Sequence, residues 1–183
     1  MHYAEIKNCD IANGEGVRVS LFVSGCTHRC KNCFNEVAWD FSYGRPFTEE
    51  VQEHLFSMLA PSYIAGLSLL GGEPFEPQNQ RALLPFLREL RRRFPRKTIW
   101  CYTGYVYERD LLSCSRARCE ATDEMLSYID ILVDGPFIEE QKSLRLRFRG
   151  SANQRVLDLN ATRKAGEAII WAKLGEKDGK VER

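Results

Sequence analysis

The sequence predicts an α/β protein: an open, partial (β/α) barrel of about five or six parallel strands, with a cysteine-bearing loop after the first strand. Three observations lead there. Short apolar, β-branched runs alternate with helical patterns, the order of βαβ units. The segments joining them are short. The chain has 183 residues, fewer than the roughly 250 of a complete eight-unit barrel. A doubly wound sheet is the other arrangement this alternation allows. Residues 1–174 read as one domain and 175–183 as a solvated tail.

Each element has a local reason. Val17 to Val23 is rich in β-branched and apolar residues and reads as a strand running into Ser24-Gly25. Thr48 is a candidate N-cap, with Glu49 and Glu50 where carboxylates suit the helix dipole. Val51, Leu55, Met58 and Leu59 then share one helical face. Gly66 to Leu70 reads as a second strand, ended by Gly71-Gly72, and Leu83 to Phe94 as a helix that Pro85 starts or kinks. Thr98 to Tyr102 is a strand ended by Thr103-Gly104. A short helix at Asp123 to Tyr128 precedes the strand Ile129 to Val133, ended by Asp134-Gly135-Pro136. Arg155 to Leu159 and Ala168 to Trp171 are candidate edge strands. Met1 to Asp10 is polar and carries no signal-peptide pattern.

Parallel βαβ folds bind ligands at the C-terminal ends of their strands. The cysteine loop, Gly71-Gly72-Glu73-Pro74, Thr103-Gly104 and Asp134-Gly135 all follow predicted strands, so they are expected on one edge. Composition adds boundaries. The hydrophobic share is 44%, the charged share 28% and the formal net charge +1, which gives no reason to expect nucleic acid or an anionic membrane as partner. No run approaches the ~20 apolar residues of a membrane span. The reading is a cytoplasmic protein, where seven cysteines favour metal or redox roles over disulfides.

Cys26, Cys30 and Cys33 stand in a C-x3-C-x2-C spacing. Three thiolates on one short loop can hold three corners of an iron–sulfur cube and leave the fourth iron open to a small molecule, whereas ferredoxin clusters are normally held by four cysteines. A structural zinc site is the alternative, because His28 inside the loop would complete a Cys3His set. Such sites usually staple two chain segments, and these candidates lie within eight residues. Gly71-Gly72 alone reads as a strand-ending turn.

With these motifs in order, the sequence resembles the radical S-adenosylmethionine superfamily. Within it the chain is similar to the activating proteins of anaerobic (class III) ribonucleoside-triphosphate reductases. The stretches that carry this are Asn13-Gly14-Glu15-Gly16-Val17-Arg18, Leu21-Phe22-Val23-Ser24-Gly25-Cys26 and Cys33-Phe34-Asn35. Pro77-Gln78-Asn79, Trp100-Cys101-Tyr102-Thr103-Gly104-Tyr105, Val133-Asp134-Gly135 and Arg149-Gly150-Ser151-x-Asn153-Gln154 complete it. Two features depart from the pattern: Glu73 where such activases often have aspartate, and an apparent insertion at Ser113 to Ala121 holding Cys114 and Cys119, read as free thiols.

The resemblance implies one 4Fe–4S cluster on Cys26, Cys30 and Cys33, with S-adenosyl-L-methionine on its open iron. It places the backbone of Asn32, Cys33 and Phe34 beside the adenine and Gly71, Gly72 and Glu73 at the methionine end. Thr103 and Asp134 would flank the cofactor carboxylate, with a bound cation as one way to offset the two negative charges. No catalytic side chain is implied beyond cluster and cofactor. The implied product is a glycyl radical on the anaerobic reductase, fed by a one-electron donor such as a flavodoxin or ferredoxin. An activase of another glycyl-radical enzyme, such as a formate-lyase, and a non-catalytic zinc or iron–sulfur module are the competing readings. The basic run Arg88, Arg91, Arg92, Arg93, Arg96 and Lys97 reads as a solvated helix face or a dock for an acidic partner, and Arg149 to Gln154 as a second candidate dock.

Overall fold

The computed structural model describes residues 1–174, so the expected tail at 175–183 lies outside the described residues. The strands are β1 (His2–Asp10), β2 (Val17–Val23), β3 (Arg45–Pro46), β4 (Ile64–Gly71), β5 (Thr98–Tyr102), β6 (Ile131–Asp134) and β7 (Arg155–Asp158). The helices are α1 (Glu49–Leu59), α2 (Pro77–Arg93), α3 (Thr122–Tyr128) and α4 (Leu159–Ala165). All seven strands join one sheet in the order β3-β1-β2-β4-β5-β6-β7.

This corrects the expected five or six parallel strands of an open barrel. Only β2, β4, β5 and β6 run parallel; β1 and β3 on one side and β7 on the other are antiparallel. The cysteine loop follows the second strand of the chain, which is the first of the parallel set. The polar sequence of β1 hid it, because most of its side chains are exposed or half-buried and only Tyr3 is buried. Ala168 to Trp171 is not a strand: it contributes an isolated bridge between Ile170 and Leu157.

Helix α1 begins where expected, with Thr48 Oγ1 accepting from the Val51 amide at 3.4 Å. Helix α2 starts earlier than expected, at Pro77, where a missing N–H costs nothing. Pro85 lies within it and is exposed, so the carbonyl one turn back that loses its amide partner belongs to a solvent-facing residue, Arg81. The main core gathers Leu21, Leu67, Leu69, Ile99 and Leu132 of the sheet with Leu55 and Leu59 of α1, Leu83 and Leu87 of α2, and Met125 of α3.

The other face of the sheet is more polar. Arg18 on β2 is fully buried there and donates to Ser68 Oγ at 2.8 Å, Thr98 Oγ1 at 2.9 Å, and the carbonyls of Leu67 at 2.7 Å and Thr98 at 2.8 Å. Its guanidinium lies over the Trp100 ring. Among the described residues no carboxylate bonds to it; burial lowers its pKa to about 10, which leaves it charged at neutral pH. Ser68 passes the connection on, donating to the Asn13 carbonyl at 2.5 Å. The residues linked are those of the Asn13-to-Arg18 motif, whose function in the fold is to pin the β1–β2 turn against β4 and β5.

Replacing Arg18 with Met should cost about 3 kcal/mol, since two hydroxyls and three carbonyls, that of Glu15 among them, lose a buried charged donor. Urea denaturation should show a lower midpoint at an unchanged slope.

Candidate functional site

The parallel pairing of β2 with β4 runs as far as Val23 opposite Gly71, so the cysteine loop and the Gly-Gly-Glu-Pro loop leave the sheet from adjacent points. The Gly72 amide donates to the Val23 carbonyl at 2.7 Å, and the Glu73 amide to the Gly25 carbonyl at 2.9 Å. A Cβ on Gly72 would stand 2.7 Å from the Gly25 oxygen and 2.9 Å from the Ala38 oxygen, so the two loops can approach this closely only with glycine there. Asn79, buried in the first turns of α2, fastens both loops. Its Nδ2 donates to the Ser24 carbonyl at 3.0 Å and the Glu73 carbonyl at 2.9 Å.

Glu73 is buried, and four donors meet its carboxylate. Oε1 accepts from the Phe75 amide and from Thr103 Oγ1, both at 2.8 Å. Oε2 accepts from the Gly104 amide at 2.8 Å and lies 2.9 Å from His28 Nε2. His28 is thereby turned toward Glu73, with its ring against Tyr105 at 4.3 Å between centroids. A second carboxylate, Glu76, accepts from the amide and hydroxyl of Thr27 through Oε1, at 2.8 and 2.6 Å. The cysteine loop is thus tied to its neighbour by side chains on both sides of Cys26.

Cys26, Cys30 and Cys33 are free thiols lining one cavity of about 450 Å3. Asn32, Phe34, Gly71, Gly72, Glu73 and Thr103 line it too. Its volume falls in the range of small-molecule sites. Burial, reinforced by Glu73 and less by Glu76, raises the Cys26 thiol to about 12, and burial also raises Cys30. Bound cationic iron would reverse that penalty, because metal ligation takes the thiolate. Among the described residues, no three His, Cys, Asp or Glu side chains gather around one ion-sized point. Three free thiols on one loop, with histidine engaged elsewhere, fit the separate corner irons of a cubane better than a single zinc.

Asp134 stands apart from the cavity lining. Its carboxylate accepts from Arg155 at 2.9 and 2.5 Å and from the Tyr107 amide at 2.8 Å, and Arg155 reaches on to Glu108. Gln154 Oε1 accepts from the Gly150 and Ser151 amides while its Nε2 donates to the Gly135 carbonyl, so the Gly-Ser-x-Asn-Gln motif knits the β6–β7 connection together. That connection places Leu144, Leu146 and Phe148 along the cavity. The basic run is largely neutralised by its own surface: Arg88 pairs with Glu124, Arg91 with Asp130, and Arg93 with Glu53 and Glu89. Sequence reasoning assigned no role to Asn79 or Glu76; the Asn in Pro77-Gln78-Asn79 was the one available signal.

The family described as a 4Fe–4S single cluster domain matches residues 12–157. An anaerobic ribonucleoside-triphosphate reductase-activating protein of Haemophilus influenzae is 44% identical over 156 residues, covering 84% of this chain and 96% of that protein. The chain belongs to this family. Proteins of the same name from Vibrio cholerae and Escherichia coli K12 are 41% and 37% identical, over 84% and 85% of this chain and 96% and 97% of their own lengths. The description of the matching family supports a 4Fe–4S cluster as a cofactor of this chain. Among the described residues, no helix is long and apolar enough to cross a membrane.

Replacing Gly72 with Ala should destabilise the metal-free protein by about 1–3 kcal/mol, the usual cost of forcing atoms into a filled space. Thermal unfolding without iron or cofactor measures this, and an unchanged midpoint would mean that the two loops part at no cost.

Proposed function

We propose that this chain activates an anaerobic ribonucleoside-triphosphate reductase by installing a glycyl radical on it, with Cys26, Cys30 and Cys33 holding the cluster. The observation that carries the reading is the meeting of three free thiols with the Gly72–Glu73 ledge in one cavity at the strand ends. When bound, the cluster supplies one electron to S-adenosylmethionine, whose sulfur–C5′ bond breaks to give methionine and a 5′-deoxyadenosyl radical that takes the α-hydrogen of the target glycine.

The chain's own residues bind, orient and shield. The backbone of Asn32, Cys33 and Phe34 would hold the adenine, and Gly71 and Gly72 would receive the methionine end; all five line the cavity. Thr103, His28 and the Gly104 amide hold the Glu73 carboxylate in place at that end. Asp134 acts from behind, fixing the Tyr107 backbone through its bonds with Arg155 and the Tyr107 amide. The electron comes from an external one-electron donor of the flavodoxin or ferredoxin class.

A protein target suits the mouth of the site. Phe34 and Leu144, both lining the cavity, are 88% and 98% exposed, and Ile11, beside the lining residue Ala12, is 74% exposed. Three loops thus present bare apolar side chains around an opening that a reactive radical requires to be closed to water. An inserted glycine-bearing loop of the reductase closes it and brings the substrate with it.

After anaerobic reconstitution, the protein should hold about four irons per chain. Cys26→Ala, Cys30→Ala or Cys33→Ala should abolish this, while Cys114→Ala and Cys119→Ala should not. Stoichiometric zinc in place of iron would contradict the reading. Incubating the reduced protein and S-adenosylmethionine with the reductase should produce a glycyl-radical signal by electron paramagnetic resonance. A signal only on another glycyl-radical enzyme, such as a formate-lyase, would keep the chemistry and replace the partner.

A further inference from the structure

Glu76 holds the cysteine loop through the residue after Cys26, and it is only 6% exposed. Both contacts, from the Thr27 amide at 2.8 Å and the Thr27 hydroxyl at 2.6 Å, fall on the same oxygen. Among the described residues no Lys, Arg or His lies within ion-pair distance of it. This separates it from Glu73, which His28 faces. Glu76 is also the residue that precedes α2, a helix of 17 residues, and its backbone carbonyl accepts from the Asn79 and Gln80 amides.

A buried carboxylate with no cation beside it is uncommon, and such groups are costly to keep. The loop geometry alone does not require the charge: two donors to one oxygen can be met by any carbonyl-type acceptor, a glutamine side chain included. What glutamate adds is a negative charge close to Cys26. Net charge, hydrogen bonding and burial around a cluster are the levers by which a protein sets its reduction potential.

We infer that Glu76 is a positioning and electrostatic residue for the cluster: through Thr27 it fixes the cysteine loop, and through its charge it holds the one-electron potential low. The inference rests on the cluster assignment proposed above. One-electron reduction, from an external donor of the flavodoxin or ferredoxin class, adds one negative charge to the cluster and takes up no proton in this step. A fixed negative charge in a poorly solvated neighbourhood opposes that addition. The reduced cluster is correspondingly a stronger reductant toward the sulfonium of S-adenosylmethionine. Difficult loading of the electron is thus exchanged for easier cleavage.

The test is a redox titration of the anaerobically reconstituted full chain, with the cluster followed by visible absorption and electron paramagnetic resonance. Glu76→Gln keeps the acceptor for Thr27 and removes the charge. Its iron content should match the parent, while the reduced-to-oxidised ratio at a fixed low potential rises about tenfold, or about 59 mV for a one-electron couple. Glu76→Ala removes both and should lose cluster on dilution. Glu120→Gln, which alters an exposed carboxylate paired with Arg81, is the surface control and should leave the potential where it was. An unchanged potential in Glu76→Gln with normal iron overturns the inference and leaves the cluster assignment standing. If the parent itself takes up no cluster, both fall. Should Glu76→Gln fail to hold iron, Thr27→Val decides: it keeps the charge and removes one donor, so its potential should equal or lie below the parent's, and a rise overturns the inference.

Discussion

The arrangement of this protein depends on one contact, the seating of the cysteine loop on the loop that follows β4. Parallel pairing brings the two strand ends level, and from there the assembly is held by hydrogen bonds between loops that have little regular structure of their own. Asn79 supplies donors to both, Glu73 collects donors from four directions, and Glu76 grips Thr27. Each polar group is buried, so each unmade bond would carry a desolvation cost. Satisfied together, they specify one relative placement of three thiols, a glycine ledge and a carboxylate.

The sheet beneath is organised to keep that edge fixed. Helices α1 to α3 cover one face with an ordinary apolar core. The opposite face carries a charged side chain in its interior, Arg18, whose bonds cross from β2 to β4 and β5. Trp100, Phe148 and Trp171 close the same face beyond it, packed edge to ring. A cation held by carbonyls and hydroxyls is a demanding way to join strands, but it is directional where aliphatic packing is not. It fixes the β1–β2 turn, whose Ala12 and Asn13 reach the cavity.

Much of this was legible in the sequence, and the failures have physical causes. The four parallel strands stood out because strands buried on both faces are continuously apolar. The shared edge for the motifs followed from topology alone. Strand β1 was illegible because a largely exposed antiparallel strand near the sheet's edge does not need the apolar pattern that periodicity detects. The expected count of parallel strands was too high because the flanking strands β1, β3 and β7 pair antiparallel, a direction that local apolar patterning does not record. Pro85 misled the start of α2: proline is excluded from helix interiors only where the orphaned carbonyl cannot reach water, and this turn faces solvent. Within the site, the cysteines and glycines were readable from spacing, whereas Asn79 and Glu76 were not. Their importance lies in contacts with residues 49 to 55 positions away, and no local pattern records a partner at that distance.

Side chains and backbone amides anchor the start of the cysteine loop at Ser24, Gly25 and Thr27, so that part of its shape is set by the chain's own contacts. That distinguishes it from small zinc domains, which collapse when the ion is removed. Exposure to oxygen strips iron and sulfide from open cubanes. In this architecture such damage would empty the receptacle without unfolding the sheet, and recovery would require delivery of new iron and sulfide rather than synthesis of a new chain.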